Sequence, residues 1–124
     1  MEQVITDTKM REYRAAAVRR DREALRRRAT RWERAQRVAG EAAGVLRAEF
    51  GATRVVLFGS GTSADRFRLR SDLDLAVWGL PERLYLRAVA RLLSIDPDVP
   101  VDLVMAEDAG PSVRAAIAAE GRDQ

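Results

Sequence analysis

A chain of 124 residues, 47% of them hydrophobic, is expected to form one domain around one core. It contains no cysteine and no histidine. That excludes disulfides, thiolate metal sites and histidine-based acid–base chemistry, and leaves any catalysis to carboxylates, hydroxyls, arginines and an oxygen-liganded metal. The net charge of +3 is split unevenly: residues 1–48 carry 13 Lys/Arg against 7 Asp/Glu, whereas residues 49–124 carry 9 against 12. A basic arm on a mildly acidic body suits an acidic partner or nucleic acid. No apolar run reaches the roughly 18–20 residues needed to cross a bilayer, and no signal-peptide pattern opens the chain. A cytoplasmic protein with no membrane contact is therefore expected.

From Asp7 to about Glu49 there is no proline, the first glycine is Gly40, and Ala, Arg and Glu dominate. All three favour helix. Val18, Leu25, Trp32, Ala39 and Leu46 recur at seven-residue steps, with Ala29, Ala35, Ala42 and Ala43 between them. This is one apolar stripe flanked by arginines, and it fits either one long helix or two meeting near Gly40. The part just before Gly51 is expected to pack on the body. Residues 8–30 hold too little apolar surface for a core of their own, so their arginine runs read as a solvated face or a partner-binding helix. Gly51 ends the helix, and "TRVVLFG" reads as a first strand closing at Gly59. Residues 60–71 form a polar, arginine-bearing loop. "DLDLAVW" is a second strand ended by Gly79 and Pro81. "PERLYLRAVARLLS" is an amphipathic helix with Pro81 in its first turn, "VPVDLVMA" a third strand, and "GPSVRAAIAAEG" a last helix. This order of elements predicts an α/β (α+β) fold, a small mixed sheet with helices packed on it.

The second strand poses a problem. Side chains alternate along a strand, so Asp72 and Asp74 share one face while Leu73 and Leu75 take the other. Two carboxylates at that spacing repel each other unless a cation lies between them. Magnesium is the natural candidate, because it joins one or two carboxylates to phosphate oxygens. Asp102, in "VDLV" on the third strand, can reach the same spot if the two strands are neighbours. A D-x-D or a Gly-Ser corner alone is a weak signal. The combination is far more specific: an apolar strand, Gly59-Ser60, an eleven-residue gap, Asp72-Leu73-Asp74, a helix, and a strand carrying Asp102.

That combination resembles the nucleotidyltransferase superfamily of the DNA polymerase β type. More narrowly, it resembles the minimal nucleotidyltransferase (MNT) proteins that act as antitoxins of HEPN-domain partners. The resemblance covers roughly residues 40–120 and implies the palm-type mixed sheet of that superfamily. It implies that Gly59 and Ser60 contact nucleotide phosphates, that Asp72 and Asp74 hold two magnesium ions, and that Asp102 completes the site and helps deprotonate the attacking hydroxyl. The family usually continues Gly-Ser as R-A-R-G-[DE], across a gap of commonly ten residues. Here "GTSAD" keeps only the acidic position, Asp65, so Arg66, Arg68 and Arg70 are the candidates for triphosphate contacts from the longer loop.

The domain organisation expected is an Arg-rich helical arm over residues 1–31 and an MNT domain over 32–124. The function implied is transfer of AMP, or another nucleoside monophosphate, from ATP or another NTP to a hydroxyl side chain of a HEPN-type toxin. The alternative is an MNT-fold antitoxin that neutralises its partner by contact, with weak or absent chemistry. A third reading, nucleic-acid binding through the arm, has the right charge, but the arm has only Tyr13 and Trp32 as aromatics and no recognisable DNA-binding motif.

Overall fold

A computed structural model describes residues 2–124, with side chains from Thr6 onward; Met1 and the side chains of residues 2–5, at the tip of the expected arm, lie outside that description. The elements in chain order are α1 (Glu2–Phe50), β1 (Arg54–Phe58), β2 (Leu73–Trp78), α2 (Tyr85–Leu93), β3 (Val101–Met105), α3 (Pro111–Glu120) and β4 (Arg122–Asp123). Short 3-10 turns cover Gly59–Thr62, Glu82–Leu84 and Ala106–Asp108.

The choice between one helix and two resolves to one. Helix α1 runs 49 residues, about 73 Å at about 1.5 Å per residue. Gly40 and Gly44 are exposed and do not interrupt it, because the face beside them is packed. Ala35, Val38, Ala39, Ala42, Ala43, Leu46 and Phe50 are all buried. Four alanines in that row let the helix axis come close to the sheet. Leu46 and Phe50 fill the space beneath, and a large-to-small change at such a site typically costs about 2–5 kcal/mol. Between residues 6 and 30 the helix is almost wholly exposed, Met10, Tyr13, Val18 and Leu25 included.

The sheet order is β3-β2-β1-β4. Strands β1 and β2 are antiparallel, β2 and β3 are parallel through the α2 crossover, and β4 pairs antiparallel with β1. The sheet is therefore mixed, as expected, but β4 adds a strand that "RD" does not announce. One face, built from Val55, Leu57, Leu73, Leu75, Val77, Val101 and Leu103, packs on α1 and α2. The opposite face carries Phe58, Ala76 and Ala106 against Val113, Ala116 and Ile117 of α3. The Pro81 segment differs from the sequence reading: Pro81 precedes the Glu82–Leu84 turn, and the α-helix proper begins only at Tyr85.

Two clasps fix α1 to the body. Arg34 donates through Nε and, at 2.8 Å, through Nη2 to the carboxylate of Asp96. Burial pushes the Asp96 carboxyl up, but the Arg34 hydrogen bond and charge hold it below its ordinary value. Trp32 Nε1 and Gln36 Nε2 both donate to the Gly61 carbonyl, at 3.1 and 2.8 Å. In the 60–71 segment, read as a polar loop, Phe67 is fully buried, and the Arg31 guanidinium stacks over its ring at 4.9 Å.

Candidate functional site

The register of β2 and β3 sets Asp74 directly opposite Asp102. Because side chains alternate, both project from the α3 face of the sheet. Asp72 lies one residue before β2 begins, and is exposed. It is thus a strand-entry residue rather than an inner strand residue, although its spacing from Asp74 keeps it near the same face. Asp74 is half-buried. Burial first, then the charge of Asp102, then that of Asp72, push its carboxyl up from 3.8 to about 6. Among the described residues none of the three carboxylates has an ion-pair or hydrogen-bond partner.

Gly59 completes this end of the sheet. It follows β1 with φ +73, and a Cβ placed on it would lie 2.5 Å from Asp74 Oδ2. Two requirements therefore fall on one residue: a left-handed backbone and no side chain. The turn that begins there is held by Thr62 Oγ1, which donates to the Gly59 carbonyl at 2.7 Å, and by the α1 donors on Gly61. The backbone corner thus lies close against the Asp74 carboxylate.

The three loop arginines separate. Arg66 reaches the corner: its Nη2 donates to the Gly59 carbonyl at 3.0 Å, to Thr62 Oγ1 at 2.9 Å and to Glu120 Oε2 at 2.6 Å. Glu120 Oε1 in turn accepts the Gly59 N–H at 3.1 Å. Arg68 and Arg70 are exposed, and among the described residues their side chains make no hydrogen bond or ion pair. The Ser60 side chain makes none either. The structure thus joins Asp72, Asp74, Asp102, Gly59, Ser60 and Arg66 at one sheet end, while Arg68 and Arg70 stay on the loop. Sequence reasoning missed Glu120 and Thr62. Neither had a signal, since Glu120 reads as an ordinary helix-end acid and Thr62 as one more loop hydroxyl.

The donor chemistry suits a hard divalent cation in that Asp74 and Asp102, level on adjacent strands, offer carboxylate oxygens. Among the described residues no group of three acidic, His or Cys side chains stands close enough together to hold a metal ion by itself. Magnesium does not need one, because it usually takes one or two carboxylates and completes its shell with water and phosphate oxygens.

The sequence matches no protein-family model and no curated protein. Solved structures do match. A toxin–antitoxin crystal structure with AMP-PNP is similar with TM-score 0.57 and 25% identity, over 68% of this chain and 70% of that chain. A tri-AMPylated Shewanella oneidensis HEPN toxin in complex with MNT antitoxin gives TM-score 0.54 and 22% identity, over 72% and 70%. The MntA–HepT toxin–antitoxin gives 0.53 and 23%, over 71% and 69%. Among the described residues no helix is long and apolar enough to cross a membrane. The mixed sheet backed by a long helix thus has a fold similar to that of these solved MNT antitoxin–HEPN toxin structures.

Proposed function

We propose that this chain is an antitoxin of the MNT type that transfers AMP, or another nucleoside monophosphate, from an NTP to a hydroxyl side chain of a HEPN-type toxin. The observation that carries the reading is Asp74: a half-buried carboxylate with no cationic partner, level with Asp102 and pressed against the Gly59 corner. A fold does not tolerate such a group without a reason. Asp72, Asp74 and Asp102 would hold magnesium, two ions in this reading, which supplies charge neutralisation at the triphosphate. Asp102 would accept the proton of the attacking hydroxyl. That oxygen bonds to the α-phosphorus as the bond to pyrophosphate breaks, and the Gly59 N–H, Ser60 and Arg66 would orient the phosphates. Arg68 and Arg70, free on the loop, would meet the nucleotide only after loop movement. Residues 1–31 would serve as an arm for the protein partner and 32–124 as the catalytic domain, both within the cytoplasm.

A second reading is neutralisation by contact alone. The exposed stretch of α1, with Met10, Tyr13, Val18 and Leu25 uncovered, favours it. One assay separates the two. The chain is incubated with a co-expressed HEPN-type partner, labelled ATP and magnesium, and the partner is weighed by mass spectrometry. AMP on the partner that disappears with Asp72→Asn and with Asp74→Asn supports transfer. No AMP on the partner with the wild-type chain, together with neutralisation by the Asp72→Asn, Asp74→Asn double variant at wild-type strength, rejects transfer and leaves contact.

A further inference from the structure

Glu120 meets the Gly59 corner with both carboxylate oxygens. The Gly59 N–H donates to Oε1 at 3.1 Å and Arg66 Nη2 to Oε2 at 2.6 Å. A backbone N–H and a guanidinium converging on two oxygens of one anion form a donor set that a phosphate would take equally well. These contacts bridge 61 and 54 residues of chain, so the tertiary fold delivers the carboxylate to this place. The end of α3 sets its position. Gly121 follows at once and packs so tightly that a Cβ there would lie 2.8 Å from Val56 Cγ1 and 2.4 Å from the Ile117 carbonyl oxygen. Strand β4 then pairs with β1 at Val56 and Leu57.

We propose that Glu120 is an internal anion latch: its carboxylate fills the phosphate position made by the Gly59 N–H and Arg66, and an incoming triphosphate binds by displacing it. The inference rests on the corner being a phosphate contact, as in the proposed function, and adds how access to that contact is set. Glu120 brings a fourth negative charge to the end of the sheet that already holds Asp72, Asp74 and Asp102. It also engages Arg66, the one loop arginine that reaches the corner. Exchanging it for a phosphate keeps the same two donors satisfied. Its side chain is 28% exposed and stands on the last helical residue of α3, so it swings to water without unpacking the core. A residue that merely held Arg66 in place for phosphate would have the opposite effect on affinity, which makes the sign decisive.

The test is calorimetric titration of inorganic triphosphate, with and without magnesium, into the full chain. The variants are Glu120→Gln, Glu120→Ala, Arg66→Ala, and Glu120→Ala with Arg66→Ala, each checked by melting curve. Glu120→Ala is expected to bind about tenfold tighter than wild type, a change of about 1.4 kcal/mol. Glu120→Gln, which keeps the shape and loses the charge, falls between them. Arg66→Ala weakens binding and erases most of the gain from Glu120→Ala, as a shared anion position requires. Unchanged or weaker binding in both Glu120 variants overturns the latch, and so does absence of binding in every form. Tighter binding in Glu120→Ala, in a protein that moves no AMP to its partner, supports the latch and removes the transfer reading.

Discussion

Replacing Asp74 by Asn removes the charge that this end of the sheet tolerates least, and the gain in stability can be worked from its environment. Burial, then Asp102, then Asp72 raise the Asp74 carboxyl from 3.8 to about 6. A displacement of about two pH units corresponds to about 3 kcal/mol at about 1.36 kcal/mol each. Because the side chain is only partly buried, solvent screening reduces this to about 1–2 kcal/mol. The sign follows from linkage. The folded state holds its proton more tightly than the unfolded chain, so the penalty is absent below the ordinary value of 3.8, grows as pH rises toward about 6, and is complete above it. Without metal, Asp74→Asn should therefore melt higher than wild type at pH 8, by roughly 4–8 °C for a chain of this size. The difference should shrink to a small fraction at pH 4. The amide loses little in exchange, since Asp74 has no hydrogen-bond partner among the described residues. Melting curves in chelator at pH 4, 6 and 8 measure this. Adding magnesium and ATP should then reverse the order, since a ligand that binds only the folded wild type stabilises it by mass action, about 2.7 kcal/mol at roughly 100 times its dissociation constant. A variant no more stable than wild type at pH 8, or a difference equal at all three pH values, would refute the electrostatic account.

Gly59→Ala should lower the melting temperature, because a left-handed backbone costs an L-residue about 1–2 kcal/mol and its Cβ would collide with Asp74 Oδ2; it should also abolish nucleotide binding, both read by differential scanning fluorimetry with and without magnesium and ATP. Deleting residues 1–30 should leave the body folded, since buried α1 side chains begin at Ala35, while weakening or reshaping association with a partner or with itself. Circular dichroism and light scattering check the two halves of that statement, and a truncated chain that does not fold would make the arm part of the core.

Legibility in the sequence followed the range of the underlying interaction. The seven-residue recurrence from Val18 to Leu46 marks α1 because helical periodicity is local. Its continuity past Gly40 was not legible, since the glycine penalty of about 1 kcal/mol is offset by packing of Ala39, Ala42 and Ala43 on a sheet formed later in the chain. The shared face of Asp72 and Asp74 follows from a period of two. That Asp102 stands level with Asp74 depends on a parallel register set through the α2 crossover, which no pattern in "VDLV" specifies. Phe67 looked like a loop residue because a single buried aromatic has no period. Glu120 and β4 were invisible for the same reason: their meaning lies in contacts more than 50 residues distant.

The two-residue strand β4 also governs how the molecule avoids sticking to copies of itself. Strand β1, with Val55, Val56, Leu57 and Phe58, would otherwise be an apolar edge with a row of unpaired amides and carbonyls, the kind of template that recruits further strands. Arg122 and Asp123 occupy that row, and Gln124 extends the cover with an N–H to the Val55 carbonyl at 3.0 Å. Both strand residues are charged and exposed, so the edge finally presented to solvent is short and carries charge, two features that discourage strand-to-strand aggregation. The Arg54–Asp123 ion pair, 2.8 Å, ties the cover to the strand it protects. Residues 122–124 thus cover one edge of an apolar strand.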